Sequence, residues 1–357
     1  MIGRFISYLS IFLFTVCQTT SAQQTRPEPI PIKVVVVTMF EKGEDVADRP
    51  GEFQNWVEKL PLPQSMSFPQ GHRDLRYSDR GILGLVTGMG IAKAAASTMA
   101  IGLDPRFDLS KAYWIIAGIA GVDPEDASLG SAVWAEWVID GDLSHQIDAR
   151  EVPGDWTTGY IPLRQAEPYE LPVPKNNEGV VYQLNAGLVE WAYQLTKNMQ
   201  LKDNSKIKKQ RELYANHIKG QRPPMVLKGD HLAASTYWHG ALLNQWANDW
   251  VRYWSEGNGN FVTSGMEDTG TLQSLTFLGN AGKVDINRIL VLRTASNYTM
   301  QYPGVMASES LRGKVKGKGY SAYVPALDAA YEVGSVVVNE LVNNWLRYND
   351  VPAGKNP

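Results

Sequence analysis

Short runs of mostly apolar residues, without a regular alternation of polar positions, recur along the chain. They occupy residues 33–39, 82–86, 113–116, 131–139, 225–227 and 289–292. They are rich in β-branched or aromatic side chains and lack the alternation of a strand with one wet face. Such runs are typical of strands buried on both faces. The pattern therefore predicts a parallel sheet that helices cover on both sides.

Longer stretches separate several of these runs, and they are either rich in alanine or have apolar residues spaced three or four apart. They lie at residues 91–103, 182–195, 236–254, 269–278 and 326–347. This spacing predicts helices. Because strands that alternate with helices favour a layered arrangement, we expect an α/β fold.

Two other features of the pattern have plain structural interpretations. Trp238, Trp246, Trp250 and Trp254 are spaced to lie on nearly one face of a predicted helix. We expect this stripe to be a core or interface surface rather than a platform for a ligand. The basic stretch at residues 197–222 is expected to be a solvated helix or loop rather than a binding patch.

The N-terminus has the layout of a secretory signal peptide. Arg4 gives a short cationic start, residues 5–16 are mostly apolar, and small residues lead to Ala22. This layout predicts cleavage after Ala22 and a secreted or periplasmic protein. An uncleaved membrane anchor is the alternative, although the apolar stretch is short for a span. A lipoprotein signal is disfavoured because Val16, which is not a small residue, precedes the cysteine.

Removal of residues 1–22 would leave a leader or linker at residues 23–32 and a single domain at residues 33–357. The chain has one cysteine, Cys17, which would leave with the signal. We therefore expect neither disulfides nor thiol chemistry. Since no later run approaches the roughly 20 apolar residues of a membrane helix, we do not expect the chain to form a channel or carrier by itself.

Composition excludes several classes of protein. The 357 residues include 34 basic and 37 acidic ones, a formal net charge of −3. Nucleic acids and anionic membranes attract basic surfaces, so we expect neither as a partner. The five histidines show no His-Glu-x-x-His spacing, and the mature chain has no Gly-x-Ser-x-Gly turn. We therefore expect neither metal catalysis nor serine-type hydrolysis.

Two glycine-rich turns follow predicted strands. Gly88 and Gly90 stand where a strand ends and an alanine-rich helix begins, and Gly118 follows the next strand. The free N–H groups of a helix start can bind an anion or a polar ligand, although glycine is also common at such turns for packing reasons. Because parallel strands end at the same edge of a sheet, we expect a pocket between these turns.

Several polar side chains also follow apolar runs. Met266 and Glu267 suit a sugar, since a carboxylate accepts from neighbouring hydroxyl groups and a thioether covers the apolar face. Asn297 suits a heterocyclic base, because its amide donates and accepts at once. Asp230 and Asp268 have an alternative interpretation as residues that favour a helix N-terminus.

These segments, in this order, resemble the nucleoside phosphorylase and nucleosidase superfamily, most closely its purine nucleoside permease branch. The most specific pieces are residues 229–232, 238–240, 265–268 and 292–297. The resemblance extends from about residue 33 to the final predicted helix. It implies a three-layer α/β domain in which a central mixed, mostly parallel sheet is flanked by helices and the ligand lies at the strand ends.

The resemblance also implies roles for individual residues in binding the substrate. Gly88, Gly90 and Gly118 stand at the turns that line the superfamily's pocket. Met266 and Glu267 match its ribose-contacting pair. Three further positions are binding candidates on the same ground: Asp230, Arg293 and Ser296.

Catalytic roles follow less directly from the resemblance. Glu41 matches the acid that activates water in nucleosidases. Asn297 falls where nucleosidases carry the aspartate that protonates the leaving purine. An amide cannot deliver that proton, so Asn297 would hydrogen-bond the base instead. Asp268 or Asp230 could then serve as the acid.

Phosphate as a co-substrate is left open by the sequence. The arginine and serine that hold phosphate in bacterial phosphorylases of this fold are missing at residues 116–119. Arg293 or the turn between Gly88 and Gly90 could still bind it. No other cofactor is expected.

Two functions therefore remain, and both concern purine nucleosides. The favoured one is cleavage of the N-glycosidic bond, with water rather than phosphate as the acceptor. The alternative is a non-catalytic uptake component that binds nucleosides and passes them to a separate membrane carrier. The sequence also leaves a homo-oligomer open.

Overall fold

The computed structural model describes residues 27–313 and 320–354. The predicted signal peptide, residues 1–22, lies outside the described residues. Ile30–Pro31, at the end of the predicted linker, pairs with Phe107–Asp108. Among the described residues, no helix is both long enough and apolar enough to cross a membrane.

Strands and helices alternate through most of the chain. The strands are β1 (Ile30–Pro31), β2 (Val34–Thr38), β3 (Gln64–Met66), β4 (Leu75–Ser78), β5 (Ile82–Val86), β6 (Phe107–Asp108), β7 (Tyr113–Val122), β8 (Ala132–Ala135), β9 (Trp137–Asp140), β10 (Ser144–Gln146), β11 (Tyr160–Pro162), β12 (Val181–Gln183), β13 (Val226–Lys228), β14 (Asp230–Ala233), β15 (Phe261–Gly265) and β16 (Ile289–Tyr298). The helices are α1 (Gln54–Lys59), α2 (Ile91–Gly102), α3 (Ala186–Thr196), α4 (Ser205–Glu212), α5 (Ala241–Trp254), α6 (Asp268–Asn280), α7 (Ala307–Gly313), α8 (Tyr323–Asn343) and α9 (Trp345–Tyr348), and a short 3₁₀ turn covers Ile286–Arg288.

One large mixed sheet organises the molecule. Its main path runs β12-β9-β14-β15-β7-β2-β5-β4-β3, and β16 pairs with β7 and with β8, which β13 extends. The ladders that join β5, β2, β7 and β16 are parallel, as are those that join β9, β14 and β15. Antiparallel ladders lie at both ends of the path and between β15 and β7. The predicted mixed α/β sheet is therefore confirmed.

Burial along the central strands shows that both faces of the sheet are covered. Successive side chains of a strand point to opposite faces, yet the four valines of β2, Val34–Val37, are all fully buried. Helix α8 packs against β16 and β7, α6 packs against β9, and α2 packs along α6. The sheet is thus the middle of three layers, as the apolar runs predict.

Some boundaries differ from the predicted ones, each for a tertiary reason. The single strand predicted at residues 131–139 is two strands, β8 and β9, which pair with different partners. The helix predicted from residue 182 begins at Ala186, because Val181–Gln183 pairs with β9 and Asn185 caps α3. Strands β14 and β15 were not predicted, because they are short and polar.

The tryptophan stripe is divided between core and cavity. Trp246, Trp250 and Trp254 are buried in a cluster around Phe261, so the core interpretation is confirmed for these three. Trp238 lies before α5, which begins at residue 241, and it lines the cavity described below. The prediction that all four share one helix is therefore wrong.

The central position of β16 can be tested by truncating a side chain. Leu290 is fully buried there, whereas Leu346 of α9 is 89% exposed. We expect Leu290→Ala to lower the free energy of unfolding by about 2–5 kcal/mol, through lost burial and a residual cavity. Leu346→Ala should change it by less than about 0.5 kcal/mol. Urea unfolding followed by circular dichroism measures both, and equal losses would contradict the central position of β16.

Candidate functional site

A cavity of about 270 Å³ opens at the ends of β7, β15 and β16. This volume is close to the lower limit of about 300 Å³ that is usual for small-molecule sites. The lining residues come from the segment after β2, the turn before α2, the end of β7, the loop before α5, the end of β15, the end of β16 and the start of α8. They are Phe40, Lys42, Glu52, Met89, Ile119, Ala120, Gly121, Thr236, Tyr237, Trp238, Ser264, Gly265, Met266, Glu267, Ser296, Asn297, Thr299, Tyr320 and Tyr323.

Four of the predicted site residues line this cavity together: Met266, Glu267, Ser296 and Asn297. Met266 and Glu267 directly follow β15, and the other two lie at the end of β16. Strand β7 brings them close, because it pairs with β15 on one side and with β16 on the other. The order of the strands thus places a carboxylate and an amide on the same cavity.

The Glu267 carboxylate is held between the backbone and an arginine. One oxygen accepts the Gly90 N–H at 3.4 Å, and the other accepts the Met266 N–H at 3.1 Å. The second oxygen also lies 3.2 Å from the Arg293 guanidinium. Burial raises the pKa of Glu267, and Arg293 opposes this shift. Glu267 therefore faces the cavity as a fixed, nearly buried acceptor.

Arg293 lies beneath the cavity and does not line it. Its side chain is 1% exposed, and it forms a two-pronged ion pair with Asp268 as well as the contact with Glu267. Another guanidinium nitrogen donates to the Ile119 carbonyl at 3.1 Å. Burial would lower the pKa of Arg293, but the surrounding carboxylates outweigh it and raise the pKa. Arg293 thus organises the cavity floor, and the structure does not place it as a ligand contact.

Asp268 does not reach the cavity either. It is fully buried, with the Nε2 atom of His231 2.9 Å from one of its oxygens. The Nδ1 atom of His231 contacts the Thr263 hydroxyl. Burial acts to raise the pKa of Asp268, but Arg293 and His231 hold it far below its usual range. Asp268 therefore lies beneath the cavity as the ion-pair partner of Arg293 and His231, and the structure does not place it where it could replace the missing acid.

Glu41 is also directed away from the cavity. Its carboxylate accepts the backbone N–H groups of Lys42, Gly51, Phe53 and Gln54, the last three at the start of α1. These bonds use both oxygens to fold residues 41–54 into a compact loop. The structure therefore does not place Glu41 as the water-activating acid.

Glu52, in the same loop, is the acid that lines the cavity. Its two oxygens accept the Met39 N–H at 2.8 Å and the Ile119 N–H at 2.7 Å. Burial raises the pKa of Glu52 to about 8, and the charge of Glu267 adds to this while Arg293 opposes it. Sequence reasoning missed Glu52, because an acid beside a Pro-Gly turn and before a helix is normally a surface residue.

Asp230 belongs to a different part of the surface. It accepts the backbone N–H groups of Trp137 and Asn260, at 2.8 and 2.6 Å, and lines a separate polar groove. Its carboxylate fixes the junction between β9, β14 and β15. The structure therefore places Asp230 outside the cavity, and its substrate-binding role stays a prediction.

The predicted glycines shape the floor rather than present a free anion site. Gly90 has φ of 92°, a conformation that favours glycine, and its N–H is bound to Glu267. The next N–H, of Ile91, donates to the Ser235 hydroxyl. A side chain at Gly118 would come within 2.7 Å of both Arg293 and Glu52. Gly118 thus leaves room for that pair, while the turn at Gly88 and Gly90 serves the protein's own groups.

The Asn297 amide is oriented by its neighbours. Its oxygen accepts the Ser296 hydroxyl at 2.8 Å, and its nitrogen donates to the Tyr298 carbonyl and to the Tyr237 hydroxyl. The rings of Tyr237 and Tyr320 face each other, with centroids 6.3 Å apart and planes 15° apart. This end of the cavity combines a fixed amide with flat aromatic surfaces, a suitable environment for a heterocycle.

In the part of the chain that the structure describes, no group of three or more His, Cys, Asp or Glu side chains is placed to hold a metal ion. The polar groups that face the cavity are carboxyl groups, an amide, hydroxyls, the Lys42 ammonium and backbone N–H and C=O groups. A ligand with several hydroxyl groups at one end and a planar polar ring at the other would match them.

The fold and the cavity define a class of protein: a three-layer α/β domain with a small-molecule site at the strand ends. The family model described as purine nucleoside permease (NUP) matches residues 31–352. The chain belongs to this family. The resemblance seen in the sequence is thereby confirmed.

Individual relatives agree with this assignment. The chain is 29% identical over 322 residues to a probable purine nucleoside permease of Schizosaccharomyces pombe, covering 88% of this chain and 90% of that one. It is 29% identical over 333 residues to the purine nucleoside permease of Candida albicans, covering 91% and 79%.

Solved structures with a similar chain path are more distant. One is the 5′-methylthioadenosine/S-adenosylhomocysteine nucleosidase of Streptococcus pneumoniae in complex with 8-aminoadenine (TM-score 0.49, 12% identity, 86% of this chain and 99% of that one). Another is the futalosine hydrolase of Helicobacter pylori (TM-score 0.49, 12% identity, 87% and 98%). At this level of similarity neither bears on the roles of single residues.

The buried position of Glu52 gives stability a specific dependence on pH. The native state keeps a proton on Glu52 up to about pH 8, whereas the ordinary value of 4.5 applies after unfolding. Between these two values the native state binds one more proton, so this group lowers the free energy of unfolding by about 1.4 kcal/mol per pH unit as pH rises.

We expect Glu52→Gln to remove this slope. The free energy of unfolding of the variant, relative to the unmodified protein, should rise steadily from about pH 5 to about pH 8. Urea unfolding across this range measures it, with Glu44→Gln, at an exposed position of the same loop, as the matched control. Parallel pH curves for the unmodified protein and Glu52→Gln would show that Glu52 ionises normally.

Proposed function

We propose that this protein binds purine nucleosides in the cavity and cleaves their N-glycosidic bond, with water as the acceptor. The observation that carries the proposal is the convergence of Glu52, Glu267 and Asn297 on one cavity. Each supplies a different requirement of the reaction: an acid–base group, a sugar acceptor and a contact for the leaving base.

The pentose would lie between Met266 and Glu267. Glu267 would accept hydrogen bonds from the vicinal hydroxyls, and the thioether of Met266 would cover the apolar face of the ring. The ribosyl group gains positive charge as the bond breaks. The buried Glu267 carboxylate favours that charge, because electrostatic interactions strengthen where water is excluded.

Glu52 is the group best suited to activate water. It faces the same cavity, and with a pKa of about 8 it exchanges a proton near neutral pH, as an efficient general base does. In its ionised form it would accept a proton from the attacking water. It takes the role that the sequence analysis gave to Glu41, eleven positions earlier in the chain.

The leaving base would contact Asn297. Because the amide cannot donate a proton as an acid does, it would stabilise the base by hydrogen bonding while Tyr237 and Trp238 offer ring surfaces. The presence of an amide, rather than an acid, at the leaving base is also the observation that favours the second candidate function. A protein that binds nucleosides and hands them to a separate carrier needs recognition of the base but no acid, and the relatives' name describes a permease.

Incubation with nucleosides separates the two candidates. Purified full-length protein is incubated with inosine, guanosine or adenosine, with and without inorganic phosphate, and the products are separated by chromatography. We expect free base and ribose in both conditions. Free base only with phosphate would overturn water as the acceptor. Intact nucleoside in both, together with binding by calorimetry, would establish the uptake candidate, and absence of binding would overturn both.

The role of Glu267 can be tested with a ligand that resists cleavage. Formycin B is a C-nucleoside whose glycosidic carbon–carbon bond water does not break, and its 2′-deoxy analogue lacks one hydroxyl group. We expect the unmodified protein to prefer formycin B by about 1–3 kcal/mol, the cost of an unpaired polar partner. Glu267→Ala should abolish most of this preference, as measured by calorimetry.

This ratio is insensitive to general damage, since both ligands report on the same folded variant. Glu136→Gln, in the separate polar groove, is the matched control and should keep the preference. An unchanged preference in Glu267→Ala would mean that the pentose lies elsewhere.

A further inference from the structure

Electrical charge is divided unevenly between the floor and the rim of the cavity. The carboxyl groups of Glu52 and Glu267 line the depth of the cavity, and the Asp268 carboxylate and the Arg293 guanidinium lie beneath them. At the opening the partly buried Lys42 lines the cavity, and the exposed Arg49, which does not line it, is near enough to affect the charge of Lys42. The cavity is therefore acidic at depth and basic where it opens.

Lys42 is directed to the cavity by an aromatic contact. Its ammonium lies 4.2 Å from the centroid of the Tyr323 ring, and both residues line the cavity. Burial lowers the pKa of Lys42, and the charge of Arg49 lowers it further, against an opposing effect of Glu41. Lys42 is thus a partly desolvated cation at the opening, and the exposed Arg49 adds a second positive charge in its neighbourhood.

No carboxylate neutralises these two cations within residues 27–313 and 320–354. The ion pairs of that part of the chain include neither Lys42 nor Arg49. Glu41, the acid nearest in sequence, uses its carboxylate to bind backbone N–H groups. An anionic ligand group would therefore find the Lys42 ammonium available here, with the charge of Arg49 acting in the same direction.

The anion sites expected from the sequence are already filled by the protein itself. Arg293 is bound by Asp268 and Glu267, and the N–H groups of Gly90 and Ile91 are bound by Glu267 and Ser235. A phosphate at either place would displace a carboxylate or a hydroxyl and would lie against the acidic floor. At the rim, a phosphate would neither displace a group of the protein nor lie against the acidic floor.

We propose that Lys42 forms an anion-binding subsite at the rim of the cavity, aided by the positive charge of Arg49, and that this subsite takes the phosphate group of a phosphorylated ligand. This inference rests on the proposed function, because it assumes a nucleoside with its pentose at Glu267 and its base at Asn297. Arginine and lysine are the side chains that best match phosphate oxygens. The phosphate could be carried on C5′ of a nucleotide or be inorganic phosphate bound beside the nucleoside.

Calorimetry at low ionic strength distinguishes these sources. The full-length protein is titrated with formycin B, with formycin B 5′-monophosphate, and with formycin B in the presence of inorganic phosphate. The variants are Lys42→Met, which keeps the aliphatic stem, Lys42→Arg, which keeps the charge, and Lys283→Met, at an exposed position remote in sequence from the loop, as the control.

If the phosphate is carried by the ligand, the monophosphate should bind more tightly than formycin B. Lys42→Met should then weaken monophosphate binding by roughly tenfold to a hundredfold more than it weakens binding of formycin B, the usual scale for a charge-assisted contact. Lys42→Arg should restore most of the loss. If inorganic phosphate is the source, it should tighten binding of formycin B itself, and Lys42→Met should remove that effect.

The subsite is overturned if neither phosphate source changes affinity, or if Lys42→Met and Lys283→Met act alike. The proposed function fails in a different way, through absence of formycin B binding to the unmodified protein. Binding of the monophosphate without binding of formycin B would support the subsite and refute a nucleoside as the ligand.

Discussion

The arrangement of the cavity depends on one buried cation. Removing a guanidinium from water is costly unless carboxylates and carbonyl groups surround it, and Arg293 meets this condition with Asp268, Glu267 and the Ile119 carbonyl. Because Arg293 lies in β16, Ile119 in β7 and the two acids directly after β15, the cluster joins the three strands that form the cavity. Removing any one of its members would leave an unpaired buried charge, so the side chain of Glu267 has little freedom to turn elsewhere.

The same cluster explains why the acids of the site differ. Asp268 takes the two-pronged contact with Arg293 and remains ionised, whereas Glu267 shares the arginine and Glu52 lies further from it. One positive charge cannot balance three carboxylates in a place with so little water. Burial is the main cause that raises the pKa of Glu52 to about 8, and a proton on Glu52 leaves two carboxylates beside the single guanidinium. A ligand that gains positive charge, as a ribosyl group does during cleavage, would relieve the excess of negative charge in another way.

Much of the fold follows from the sequence, because unbroken apolar runs identify strands that are buried on both faces. The resemblance also predicted that Met266, Glu267 and Asn297 share one pocket, although β15, which positions the first two, was not predicted. The hydrogen-bond and ion-pair partners of the acidic side chains could not be predicted. Asp268, which directly follows Glu267, could equally line the cavity or lie beneath it. The choice depends on Arg293 and His231, and their approach is set by a sheet order that local periodicity does not encode.

Glu41 and Glu52, which lie in one loop, show the same limit of prediction from sequence. Both are acids near the end of β2, and the resemblance to nucleosidases selects the one nearer to the strand. Yet the start of α1 has free backbone N–H groups, and Glu41 can reach them only if the chain returns through Pro50 and Gly51. That return turns Glu52 inward, onto the N–H groups of Met39 and Ile119. Glu41, the acid nearer to β2 in sequence, thus holds the loop closed. Glu52, which lies further along the same loop, lines the cavity.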